Sequence, residues 1–512
     1  MLILRIRPAR WSWFGLLSAC MAFASFVCAT PAIGAQASKS PASPTFLCGG
    51  TVETAVWQLW DTQGRAFLQN ELLSSRLTKD GDTYALYDIQ GQFHNLQAMA
   101  QRCTRSERLI QLADDLMGAY STLEPLQNNE SDKAWVCRGG RVCNGKNRLV
   151  NKEVMLVSAQ GLGLMSALAN SLATSKDPKA RAHPFIAKTV EVGAQHLLRW
   201  GGKKAINNWQ RLANAKPEDV KNGSSALQFS DKDLWQVALY ANLAGIYAVQ
   251  PTHFKDLQAK PNQLAQLSES IRALLQLFNA RISIETISHP SLGRVDAADI
   301  DRGFWRLHAD NRYAGYEGNE KPAICSASRG DNKAQLMRGT QDVAVVENLG
   351  WDISHARRLV HALDALQNNR SAMLQVYDLS TSELPAANLS KAFAAQLVSH
   401  VWNGDKEAPL FTNYWSGANG WYRVGYDNGT GRCDMGNPPF GLSDSFATGG
   451  YAVWSKFYPV IGEVAHTIYA LTQDKDSVSP DHAARHFEGT APRISANTRM
   501  LTQLMFWPSL VQ

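Results

Sequence analysis

Residues 86–96 read Leu86-Tyr87-Asp88-Ile89-Gln90-Gly91-Gln92-Phe93-His94-Asn95-Leu96. The apolar positions Leu86, Ile89, Phe93 and Leu96 fall three or four apart, the spacing that lines one side of an α-helix. The pattern recurs on both sides, at Val52, Val56, Leu59 and Trp60 before it and at Leu109, Leu112, Leu116 and Tyr120 after it. Further helices are expected over 155–172, 186–200, 234–248, 264–278, 351–366 and 387–401. A last one is expected over 451–471, with Tyr451, Trp454, Tyr458, Ile461, Ala465 and Ile468 on one face. Period-two alternation is scarce, so the chain reads as all-α. A solenoid would repeat at a fixed interval and none is found, which favours helices paired in a closed double ring.

The N-terminal end reads as an export signal over 1–37. Arg5, Arg7 and Arg10 precede an almost uncharged apolar run from Trp11, and the small residues Ala32, Gly34, Ala35 and Ala37 close it. Cleavage would leave no stable membrane span. Two other readings of the same residues are a retained anchor and a lipoprotein acylated at Cys20. Residues 38–45, rich in Ser and Pro, read as a linker, and 46–512 as one domain. Beyond the signal remain Cys48, Cys103, Cys137, Cys143, Cys325 and Cys433, without metal-ligand spacing. Three disulfides formed in a periplasmic or extracellular compartment are expected. Of the net charge of +6, three units belong to the signal arginines, and the remainder is small for a nucleic-acid binder.

Helical spacing lapses over 282–343 and 404–450. Loops of that length, rich in aromatic residues rather than linker residues, usually carry function. The first contains Asp310, Arg312, Tyr313, Tyr316 and Glu317; the second contains Trp415, Trp421, Arg423 and Asp444. Between them lies Glu347-Asn348-Leu349-Gly350-Trp351-Asp352-Ile353-Ser354-His355-Ala356. In a helix starting near Trp351, Asp352 and His355 open the same face as Leu359, Leu363 and Leu366, while Arg357, Arg358 and His361 point elsewhere. Polar groups on an apolar face must be paired or functional. A basic segment, Cys137 to Arg148, is a candidate for attracting an anionic chain. No phosphate-binding loop, dinucleotide fingerprint, nucleophile elbow or zinc-protease motif occurs.

Helix pairing, aromatic loops, the export signal and the segment around His355 together resemble the (α/α)-toroid enzymes that act on polysaccharides, among them lyases, glycoside hydrolases and sugar epimerases. The resemblance spans about residues 50–475 as architecture and implies a cleft lined by helix ends and their loops. It implies a polysaccharide or oligosaccharide substrate and no cofactor, with calcium left open. The first reading is a lyase that cleaves a uronate polymer by β-elimination. His355, Asp352, Tyr316 and Glu317 are its candidate catalytic residues, and Arg312, Tyr313, Asn348, Trp351, Trp415, Trp421 and Arg423 its candidate binding residues. A second reading is a hydrolase with a carboxylate pair drawn from Asp352, Glu317, Asp310 and Glu347. A third is a glycan-binding envelope protein without catalysis.

Overall fold

The computed structural model describes residues 43–126, 129–145, 148–220, 228–307, 323–326, 335–338, 346–423, 436–473, 482, 485–487 and 495–512. One compact unit runs from Thr45 to Gln512 and is mostly helical. Its longer α-helices are α1 (Thr51–Leu59), α2 (Tyr84–Arg102), α3 (Ser106–Met117), α4 (Met155–Ala173), α5 (Pro184–Trp200) and α6 (Lys203–Ala213). They continue with α7 (Asp231–Val249), α8 (Pro261–Arg281), α9 (Arg358–Asn368), α10 (Leu389–Gln396), α11 (Pro459–Gln473) and α12 (Ala496–Leu510). Beyond α1 the chain continues helically through the π-helical stretches Trp60–Gly64 and Phe67–Lys79.

Several of these helices are buried on nearly every side. A helix with no polar face cannot rest on a surface and must sit inside the fold. In α4 every residue from Val157 to Ala173 except Ala167 is buried, and among the described residues it alone is long and apolar enough to span a bilayer. It packs on α2, α5 and α7 instead. Gly163 permits the approach to α7, since a Cβ there would meet the Trp235 ring at 2.4 Å. The helix neighbours follow in succession: α2 on α4, α4 on α7, α7 on α9 and α9 on α10. The segment Tyr451–Lys456 touches both α10 and α12, and α12 packs on α1 and α2.

The mostly helical content agrees with the all-α expectation. Among the described residues six short strands also form three antiparallel pairs: β1 (Glu124–Leu126) with β2 (Asn129–Ala134), β3 (Ile282–His289) with β4 (Gly293–Ile300), and β5 (Ala323–Ser326) with β6 (Gln335–Arg338). The first lapse of helical spacing therefore opens with a hairpin, paired in register from Ile282 with Ile300 to His289 with Gly293. The expected helix over 451–471 is two pieces, a 3₁₀ segment Tyr451–Lys456 and then α11. Pro459 accounts for the break, because proline disfavours helical backbone before it and suits a first helical turn. The apolar face itself is as expected: Tyr451, Trp454, Tyr458, Ile461, Ala465 and Ile468 are all buried.

Disulfides join Cys48 to Cys103 and Cys137 to Cys143. The third expected bridge, for which Cys325 and Cys433 remain, lies outside the residues whose side chains are described.

Candidate functional site

Asp352 caps the short helix Ile353–Ala356, with extended backbone and its side chain accepting from the His355 amide at 3.1 Å. That is the usual work of an N-cap aspartate. The neighbouring strand-like bridge to Tyr414 and the bond from the Ile353 amide to the Asn413 carbonyl, 2.9 Å, fix this turn against the second loop. The cap does more than hold the turn. Its Oδ1 also accepts from the Ser354 hydroxyl, and its Oδ2 lies 2.6 Å from Nδ1 of His355. Asp352 is wholly buried and His355 nearly so, its ring edge against Trp305 with centroids 5.0 Å apart.

Burial alone would raise the Asp352 carboxyl, but the imidazole, the hydroxyl and Arg423 outweigh it and keep the group ionised. Burial pushes His355 down to about 4, against the pull of Asp352. At neutral pH the pair is thus a carboxylate and a neutral imidazole. With Nδ1 donating to Asp352, Nε2 carries the lone pair, which is the arrangement of a general base held by an acid. Ser354 donates to Asp352 rather than to His355, so the three do not form a serine nucleophile relay.

The helix start beside this pair holds two buried arginines. Arg358 donates to the Ser354 carbonyl at 2.9 Å and to the Tyr87 hydroxyl at 2.6 Å, and pairs with Asp231 of α7 at 3.0 Å. Arg357 is 9% exposed and its guanidinium donates no hydrogen bond and forms no ion pair among the described residues. Tyr87, Tyr451 and Asp444 act on it only through space, while burial and Arg358 weaken its hold on the proton. It lines a small recess together with Arg358, His361, Gln90, His94, Asn95, Thr448 and Gly449. Helical phase places Arg357, Arg358 and His361 off the face of Leu359 and Leu363, yet both arginines are buried and His361 is half-buried. The helix is buried around most of its girth, so the phase of its leucines does not divide inside from outside.

The other candidates fare unequally. Trp351 and Trp415 are completely buried; the Trp415 indole donates to the Ala298 carbonyl at 3.1 Å and its ring stacks on Tyr451. Neither ring has a face free for a sugar, so both are packing residues. Trp421 and Arg423 are half-buried, and Arg423 lies over the Tyr422 ring at 5.1 Å with left-handed backbone, φ +53°. Asn348 and Glu347 are exposed. Asp310, Arg312, Tyr313, Tyr316 and Glu317 lie outside the described residues. In the basic segment Arg138 is already paired with Glu124 and bonded to Asn151. Among the described residues the single cluster with metal-ligand proximity is Cys48, Glu53 and Cys103. Its sulfurs are joined to each other and Glu53 is paired with Arg105, so it is a structural knot.

Sequence reasoning passed over Gln90, His94 and Asn95 of α2. The available signal was a polar set at i, i+4 and i+5 beside an apolar stripe in a helix with few charges. No family model, no curated protein and no solved structure matches this chain.

Proposed function

We propose that this chain is an exported enzyme of the (α/α)-toroid type that cleaves an acidic polysaccharide by β-elimination. The observation that carries the reading is the buried Asp352–His355 pair set beside Arg357 and Arg358. Elimination removes the proton next to a uronate carboxyl, expels the glycosidic oxygen from the neighbouring carbon and leaves a double bond between those carbons. Nε2 of His355 is suited to take the proton, and positive charge nearby lowers the cost of the carbanion-like transition state. Of the carboxylates named for a hydrolase, Asp352 is committed to His355 and Glu347 is exposed, while Asp310 and Glu317 lie outside the described residues, so the reading with an observed base is preferred.

The succession of helix neighbours, in which α12 returns to α1 and α2, supports the toroid. Two disulfides are compatible with a periplasmic or extracellular site of folding. The test is a panel of acidic and neutral polysaccharides assayed for both near-ultraviolet absorbance and reducing ends. New absorbance on a uronate polymer supports elimination; reducing ends without absorbance would replace it with hydrolysis.

A further inference from the structure

We infer that the recess between α2 and the start of α9 is a binding site for a small oxyanion, a carboxylate or its tetrahedral equivalent, held by Arg357. A cation nine-tenths buried without a partner is costly, and proteins that retain one usually supply the counter-charge from a ligand. Its neighbours supply it only in part: Asp444 acts on Arg357 through space, without a hydrogen bond or an ion pair to it. Arg358 is spent on Asp231, and burial holds the two histidines that face the recess well below the usual imidazole range. His94 and His361 stack with centroids 3.7 Å apart and planes 5° from parallel, an arrangement two imidazolium ions would not tolerate.

The polar atoms around Arg357 suit an acceptor-rich guest. Gln90 Nε2 and His94 Nδ1 are 2.9 Å apart; with the amide donating, the proton of His94 sits on Nε2, which has no partner among the described residues. Asn95 Nδ2 is taken by the Met505 carbonyl at 2.6 Å. A guanidinium and an imidazole N–H therefore remain as donors, the set that grips a carboxylate in the plane of its two oxygens. The recess is small and partly open to solvent, with room for the head of a small anion in place of water and none for a whole sugar ring. The backbone is shaped for the close fit. A Cβ at Gly449 would lie 2.7 Å from that of Arg357, and one at Gly450 2.4 Å from the Asn95 oxygen.

The anion can be a free small ion or the acidic group of a sugar, and the inference stands whether or not the chain cleaves anything. The full-length mature protein is titrated with sodium sulfate, sodium acetate, glucuronate and glucose at constant ionic strength set with chloride, followed by thermal shift and calorimetry. Saturable stabilisation by at least one oxyanion and none by glucose is expected. Glucuronate binding well above acetate identifies a sugar acid as the guest, and equal binding a free small anion. Arg357→Gln should melt higher than the parent in oxyanion-free buffer, since an uncompensated charge is gone, and should bind the anion on the order of tenfold or more weakly. His355→Ala should bind it unchanged, which separates this site from the proposed catalytic pair. Anomalous scattering from selenate-soaked crystals of the parent protein should place a peak between Arg357 and His94, and does not depend on any variant folding. No oxyanion response at constant ionic strength, Arg357→Gln binding as tightly as the parent, or a recess without a selenate peak would each overturn the inference.

Discussion

Asp299 shows how one buried acid ties stability to pH. It is the next-to-last residue of β4, accepts from the Ile300 amide at 2.7 Å, is 4% exposed and has Arg302 and the buried Asp301 as its charged neighbours. Burial pushes its carboxyl up to about 7, well above the ordinary 3.8. A folded-state value above the unfolded one contributes stability that is whole below pH 4 and is lost as pH rises through 7. Asp299→Asn keeps the shape without the charge. It should change little at pH 4, and the stabilisation should grow as pH rises from there to 7, reaching about 4 kcal/mol at pH 8, because each tenfold change in proton affinity is worth about 1.4 kcal/mol. Urea unfolding at both pH values checks this, and an equal effect at both would contradict it.

His355 gives the opposite sign. Its value of about 4 means that it stays neutral down to that pH, so a reaction using it as base should keep its rate on the acid side until pH approaches 4. A limb near 6.5 in kcat/KM would show another base at work. His355→Ala should lose a factor of about 10² to 10⁴ in turnover while the fold persists. Full activity in that variant would remove it from the mechanism. Asp352 and His355 were legible in the sequence because two polar groups opened an otherwise apolar face. Arg357, His94 and Asp299 were not, since nothing in a run of residues tells a buried charge from a solvated one.

At the scale of elements, the join between the loop and Tyr451–Lys456 depends on Gly450. Its φ of +82° lies where only glycine sits without strain, and its missing side chain leaves room for Asn95. Gly450→Ala should cost about 1–3 kcal/mol through backbone strain, more if Asn95 is pushed off the Met505 carbonyl. A change within about 0.5 kcal/mol, the range of ordinary surface substitutions, would mean the loop rearranges freely. Helices such as α2 and α3 were readable because one stripe of each is apolar. The β3–β4 hairpin was not: along β3 exposure does not alternate, with Ile284 half exposed and three successive residues facing water. A strand without a buried face has no period-two signature to read.

At the scale of the whole compact unit, its first and last residues are fastened to each other. The Gln512 amide donates to the Phe46 carbonyl at 2.8 Å, and the Cys48 amide to the Gln512 carbonyl at 3.0 Å. Arg102, at the end of α2, donates to the Pro508 and Val511 carbonyls, and Cys103 beside it is bonded to Cys48. A cross-link is worth more when it closes a longer loop in the unfolded chain. Cys48 and Cys103 are 55 residues apart, Cys137 and Cys143 only 6. Chain entropy puts the first near 4 kcal/mol and the second near 2 kcal/mol, about twofold apart. Their accessibility differs too, because Cys48 is exposed whereas Cys137 and Cys143 are both buried. Mild reductant on the native protein should therefore open the more stabilising bond first. Peptide mapping after brief dithiothreitol treatment should find Cys48 and Cys103 alkylated and Cys137 and Cys143 intact, together with a fall in the urea midpoint. The double variant Cys48→Ser/Cys103→Ser should reproduce that fall and exceed the loss in Cys137→Ser/Cys143→Ser. The reverse order, or no loss on removing Cys48 and Cys103, would mean that the hydrogen bonds and the packing of α12 on α1 and α2 hold the ends together without the sulfur bridge.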